Sequence, residues 1–147
     1  MAKGKQLLAV SIVYTTGDSE AAVKYEIQSV ALWRELQSPF ELATALNFLG
    51  ADLLEIHEYA AARQALLECR DIYQSLGYHR CVALAMHNLG CGAREMGDYA
   101  RARELLCESL RIRRHLGLQR GYAYSFEQIA QINELEERYE RAVQLLA

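Results

Sequence analysis

Three side chains with metal-binding or catalytic chemistry stand one helical turn apart near the middle of the chain: His87, Cys91 and Glu95. A histidine and a cysteine at this spacing can begin a zinc site, but such a site needs four ligands. A cysteine nucleophile needs a base and a group that orients the base. His87 could act as the base, but nothing in the sequence indicates an oxyanion hole. We therefore predict no catalytic residue, no metal site and no cofactor, and we expect that the chain is not an enzyme.

Composition indicates an all-α protein of one domain. The chain has 147 residues, 52% of them hydrophobic, and a single proline. Ala, Leu, Glu, Arg and Gln dominate, and these residues favour helices. The net charge of −3 argues against a nucleic-acid partner, because such proteins usually carry a clear cationic excess. No apolar run approaches the roughly 18 residues that span a bilayer. We expect a cytoplasmic protein with reduced cysteines and no membrane contact.

The elements that hold these side chains repeat every 40 residues without gaps. Leu49-Gly50 aligns with Leu89-Gly90, and one column holds an alanine in all four copies, at positions 22, 62, 102 and 142. A fixed period of this length indicates stacked units of one kind. We predict repeats at about 1–37, 38–77, 78–117 and 118–147, the last one truncated, within one domain over residues 1–147.

Each unit reads as two helices. The first helices are predicted at about Lys5–Thr16, Pro39–Ile56, His79–Met96 and Gln119–Glu136. The second helices are predicted at about Ser19–Gln37, Tyr59–Leu76, Tyr99–Leu116 and Tyr139–Leu146.

Local signals support these boundaries. Ser38 and Glu41 have the spacing of a capping box, with Pro39 at the first helical position. Gly77 and Gly117 stand where a left-handed residue would end a helix. Gly50 and Gly90 lie inside helices, twelve residues before an alanine, and we interpret them as places where two helix backbones cross closely.

These columns resemble the tetratricopeptide repeat. The family pattern of a large residue, Leu-Gly, a second large residue and then Ala-x-x-x-large appears twice, around Leu49-Gly50 and Leu89-Gly90. The 40-residue period is similar to repeats in the sensor regions of bacterial signalling ATPases and transcription activators, and in kinesin light chains. The resemblance implies a right-handed superhelical solenoid of antiparallel helix pairs, about 3.5 repeats long, that binds a protein or peptide on its concave face.

The resemblance also implies which side chains face that groove, because the first helix of each unit lines it. These candidates are Asn47, Phe48, Leu54, Glu55, His87, Asn88, Cys91, Arg94, Tyr124, Gln128 and Gln131. The amides of Asn47 and Asn88 suit peptide recognition because each can donate and accept. Arg94 could pair with an acidic ligand group. The alternative is a groove whose polar residues only face solvent.

Two further hypotheses remain open. The last segment is apolar where solenoids usually carry a polar cap, so the chain is either a piece of a longer array or a protein whose ends meet in a homodimer. A homodimer through apolar terminal helices and a sensor fragment of a larger bacterial regulator are therefore alternatives to ligand binding. The arginines of residues 101–120 are interleaved with glutamates, and we interpret them as a solvated outer face, with an acidic partner or nucleic acid as the other interpretation.

Overall fold

The structure is a computed structural model, and it describes residues 1, 3, 18–118 and 122–146. Within these residues the chain forms six helices: α1 Ser19–Glu35, α2 Pro39–Glu55, α3 Tyr59–Ser75, α4 His79–Glu95, α5 Tyr99–His115 and α6 Tyr122–Leu146. Each helix packs on the next, and the first helices α2, α4 and α6 also contact each other in sequence. The result is the all-α solenoid of helix pairs that the repeat predicts. The helix expected at Lys5–Thr16 lies outside the described residues.

A left-handed residue stands in every turn from α1 to α5, at intervals of 20 positions. Gly77, Gly97 and Gly117 have φ values of 77°, 78° and 67°, which glycine adopts without steric cost. Gln37 and His57 take the same conformation, with φ values of 52° and 65°. The two glycine ends predicted from the sequence are confirmed, and positions 37 and 57 show that the same turn also forms without glycine.

The fourth unit corrects our prediction. We expected a turn near Glu137, in the column of Gly97, but α6 runs without a break from Tyr122 to Leu146. Glu137 and its neighbours are good helix formers, and no glycine or proline interrupts them. Local propensity therefore decides here, and the segment that we predicted as a separate helix continues α6.

Two local predictions change in detail. Ser38 caps α2 by position, and Pro39 occupies the first helical position, but no side-chain cap bond forms. The Ser38 hydroxyl instead contacts the Leu36 carbonyl at 3.5 Å, so the capping box is wrong. Asp18 and Asp98 provide the side-chain caps, accepting the backbone N–H of Ala21 and Arg101.

Gly50 and Gly90 do mark close helix contacts, and the nearest side chains at these contacts are leucines. A Cβ atom at Gly50 would lie 2.5 Å from Cγ of Leu66, and one at Gly90 would lie 2.8 Å from Cγ of Leu106. Both leucines are completely buried. At the second crossing the carbonyl oxygen of Ala102 would also lie close to the added atom, at 3.3 Å.

Candidate functional site

Helices α2, α4 and α6 carry all the predicted groove residues and contact each other in sequence. A cavity of about 360 Å³ opens between the C-terminal halves of α2 and α4. Six of the predicted residues line it: Leu54, Glu55, Asn88, Cys91, Arg94 and Gln128. The other five, Asn47, Phe48, His87, Tyr124 and Gln131, lie on the same helices outside its lining.

Asn47 and Asn88 meet across the groove. The amide Nδ2 of Asn88 donates to Oδ1 of Asn47 at 3.2 Å, and both side chains are half-buried. A primary amide offers two donors and an acceptor with two lone pairs. This bond uses one position on each side chain, so the pair retains the Asn47 N–H groups and the Asn88 carbonyl for a ligand. The bond also holds the two amides at a defined separation.

Arg94 is engaged within the protein. Its guanidinium donates to the side-chain oxygens of Gln128 and Gln131 on α6 and to the carboxylate of Glu95. The side chain is only 18% exposed. An acidic ligand group would therefore have to displace the Glu95 carboxylate, and the geometry favours a different role for Arg94. It ties the third unit to the fourth.

His87, Cys91 and Ser125 form a short hydrogen-bonded chain. Nδ1 of His87 lies 3.0 Å from Oγ of Ser125, and Nε2 of His87 lies 3.6 Å from Sγ of Cys91. The sequence had suggested no group to orient the imidazole, and the fully buried Ser125 takes that position. The arrangement brings together a thiol, a base and an orienting hydroxyl.

The electrostatics of this chain do not favour an activated thiol. Burial raises the pKa of Cys91 to about 11. Burial, together with the positive charge of Arg113, lowers the pKa of His87 below its usual value. A thiolate–imidazolium pair requires the opposite shifts. The three side chains therefore form a neutral, packed contact between α4 and α6. In the described part of the chain, no group of His, Cys, Asp and Glu side chains is placed to hold a metal ion.

Apolar side chains are also exposed on the groove helices. Phe48 is 38% exposed, Leu84 42% and Tyr124 68%. Leu84 and Tyr124 occupy the same column of the repeat, one unit apart. The helices that carry the amide pair therefore also expose apolar side chains.

A buried carboxyl pair escaped the sequence analysis. Glu26 on α1 is 1% exposed and faces Asp52 on α2. Burial first, and then the Asp52 charge, raises the pKa of Glu26 to about 8. The signal was present in the repeat, because Glu26 stands in the column of Leu66 and Leu106, both completely buried.

The arginine-rich helix α5 is largely paired within the protein. Arg101 bonds with Glu104, Arg111 with Glu108 at 2.9 Å, and Arg103 with Glu136 of α6. The Glu108–Arg111 pair predicted from helical spacing is confirmed. These contacts support the interpretation of a solvated outer face. Among the described helices, none is both long and apolar enough to cross a membrane.

The comparisons with known proteins agree with this architecture. A family model described as the tetratricopeptide repeat matches residues 41–115. No curated protein matches the sequence. Among solved structures, the apo form of RapI superposes with a TM-score of 0.83 at 15% identity, over 97% of this chain and 52% of RapI.

Two further structures show the same fold. A Rap protein complexed with Competence and Sporulation Factor has a TM-score of 0.81 at 17% identity, over 97% of this chain and 40% of that protein. The TPR-like repeats of a Podosopora anserina kinesin light chain have a TM-score of 0.77 at 19% identity, over 98% and 71%. The chain thus spans about half the length of RapI and less of the second Rap protein. Because the family model covers about half of its residues, the chain belongs to the tetratricopeptide repeat family.

Proposed function

We propose that the concave face of this protein binds a protein or peptide ligand and that the chain acts by binding rather than by catalysis. The observation that carries the proposal is the Asn47–Asn88 amide pair, whose Asn88 lines a cavity of about 360 Å³. Peptide backbones present alternating N–H and C=O groups, and the retained groups of the pair complement both. A similarly folded Rap protein has been crystallised with Competence and Sporulation Factor, which supports a binding role for this fold.

The shape of the groove favours an extended ligand. The exposed Phe48 and Tyr124 lie on α2 and α6, on either side of α4. A short extended peptide can contact both apolar side chains while its backbone crosses the amide pair. The bonds of Arg94 to α6 form without a ligand, so this part of the groove is already ordered. A preformed groove of this kind reduces the entropy cost of binding.

The decisive experiment is a peptide-library selection on the wild-type chain, followed by affinity measurements with the selected peptide. The double variant Asn47→Ala/Asn88→Ala removes the amides. Each hydrogen bond contributes about 0.5–1.5 kcal/mol, so we expect binding about tenfold weaker. The matched control is Asn133→Ala, because Asn133 lies on α6 and bonds with Arg103 at 3.1 Å. Equal affinity of wild type and double variant would show that the groove assignment is wrong.

A homodimer is the second candidate. Ala123, Ala130 and Asn133 of α6 are exposed, whereas their counterparts one unit earlier, Ala83, Gly90 and Ala93, are buried. This face of α6 is the one that a second helix covers in the preceding units. We propose that a second copy covers it when the chain is concentrated.

Light scattering over a range of concentrations tests the dimer, with Ala130→Glu as the disrupting variant. Glu41→Arg is the control, because Glu41 is exposed on α2, outside the proposed contact face. A mass of 16.7 kDa at every concentration would refute dimerisation.

A cytoplasmic location and a role as the sensor part of a bacterial regulator also remain proposals. The neighbouring coding sequence would test the regulator proposal.

A further inference from the structure

A second cavity lies between the second and third units, close to the turns that follow α2 and α4. Its volume is about 210 Å³. The floor is apolar and nearly closed to solvent: Leu66 is 0% exposed, and Leu89 and Leu105 are 6% exposed. Gly92 forms part of the wall, and the side chain of Leu54 packs beside Gly92. For comparison, an apolar cavity of about 150 Å³ is large enough to hold benzene.

The repeat explains why this space exists. Positions 52, 92 and 132 are equivalent in the 40-residue repeat. Each of them faces the residue 26 positions earlier, in the preceding unit. Asp52 meets Glu26 in the preceding interface, and Ile132 packs in one cluster with Leu106 in the following interface. Gly92 has no side chain to place against Leu66, so the space that Ile132 fills one unit later is left as a cavity.

The wall at Gly92 is adjustable. A Cβ atom there would lie 2.9 Å from Cδ2 of Leu54, which is the end of a flexible side chain. Apart from its own helix, no other described residue has an atom within 4 Å of that Cβ position. A Leu54 rotamer change would therefore admit a group into the cavity without moving any helix backbone.

One cation without an ion-pair partner among the described residues stands at the mouth of the cavity. The exposed Arg63 and Arg101 stand there with Asp98 and Tyr59. Arg101 also bonds with Glu104, and the Asp98 carboxylate accepts the backbone N–H of Arg101. Arg63 makes no ion pair within the described residues. The first residues of α3 and α5 also stand at this mouth, and helix N-termini carry a positive partial charge.

We propose that this cavity binds a small amphipathic anion, an aromatic or short alkyl carboxylate. Its apolar body would occupy the space beside Gly92, and its carboxylate would pair with Arg63 at the mouth. Cavity size excludes a larger ligand without rearrangement, since the volume is below the usual range for drug-sized ligands. The site is distinct from peptide binding, although Leu54 and Asn88 line both cavities and would couple the two.

The test is an NMR titration of the full 147-residue chain with 3-phenylpropionate and, in parallel, with its neutral analogue 3-phenylpropanol. We expect saturable shifts of the Gly92, Ala93 and Leu89 amide signals with both compounds. Arg63→Gln should weaken 3-phenylpropionate about threefold, as expected for an exposed ion pair, and leave 3-phenylpropanol unchanged. Gly92→Val should abolish binding of both. Arg111→Gln is the control, because Arg111 is exposed elsewhere on α5 and pairs with Glu108.

The outcomes separate the parts of the proposal. Absence of shifts near Gly92 with both compounds would overturn the site. Equal binding to wild type and Gly92→Val would place the ligand elsewhere, with the helical content by circular dichroism showing that the variant is folded. An unchanged affinity of Arg63→Gln for 3-phenylpropionate would overturn the anion preference, and this variant does not touch the core. Loss of peptide binding in an Asn47→Ala chain leaves this result unaffected, because Asn47 lines neither cavity.

Discussion

Glu26 makes the stability of the protein depend on pH in a direction opposite to that of most carboxyl groups. Its carboxyl group is almost fully buried, and neither oxygen accepts a hydrogen bond from a described donor. Facing Asp52, it keeps its proton in the folded protein up to a pKa of about 8, against an ordinary value of 4.5. Between these two values the unfolded chain has released a proton that the folded chain still holds. Stability must therefore fall as the pH rises through this window.

The magnitude follows from the width of the window. Each pH unit inside it costs up to about 1.4 kcal/mol of unfolding free energy. His87 acts in the opposite direction, because its pKa is lowered in the folded chain, and this effect fades as the pH rises above its ordinary value of 6.5. Measurements from pH 6.5 to pH 8 therefore report mainly on the carboxyl pair. Over that range we expect a loss of about 2 kcal/mol in the wild type.

Urea unfolding followed by circular dichroism at pH 6.5, 7, 7.5 and 8 gives the required slope. Glu26→Gln keeps the size of the side chain and supplies N–H donors to Asp52, but it cannot titrate, so its stability should stay nearly constant over this range. Glu35→Gln, an exposed position on the same helix, should retain the wild-type slope. Constant or rising wild-type stability, or an unchanged slope in Glu26→Gln, would refute the reasoning.

Two further predictions concern packing and thiol chemistry. Gly50→Ala should lower the unfolding free energy by about 1–2 kcal/mol, because its Cβ would lie 2.5 Å from the buried Leu66, and Gly92→Ala should cost less; equal urea midpoints for Gly50→Ala and wild type would contradict the close crossing. Cys91, with a pKa of about 11, and Cys69, with a pKa of about 12, should resist iodoacetamide at pH 8 until urea unfolds the chain. Mass spectrometry reads the alkylation, and rapid native modification of Cys91 would show that its thiol is not held in the packed contact.

Most helix boundaries could be predicted from the sequence. Helices α2 to α5 were expected to begin at Pro39, Tyr59, His79 and Tyr99, and each begins at that residue. This accuracy reflects local physics, because apolar periodicity, a proline at the first position and glycines in the turns act within a few residues. Where local signals were weaker, the prediction was wrong, as at Glu137, where a repeat-based turn competed with uninterrupted helix formers.

The candidate site was predictable only in part. The resemblance placed Asn47, Asn88 and Arg94 on first helices, but their distances across the groove depend on how units stack. Only the tertiary structure joins Asn88 with Asn47 and engages Arg94 with two glutamines of α6. Such contacts link residues about 40 positions apart, and no local rule predicts their rotamers.

The sequence by itself determined the architecture, since a 40-residue period in an apolar, helix-forming chain leaves few ways to bury its core. The tertiary structure decided the details at each interface between units. One column holds Asp52, Gly92 and Ile132, and these produce a buried carboxyl pair, a cavity and a filled core in successive units. The physical reason is that burial, pKa and free volume depend on what a side chain meets, and that partner lies 26 residues away in another unit.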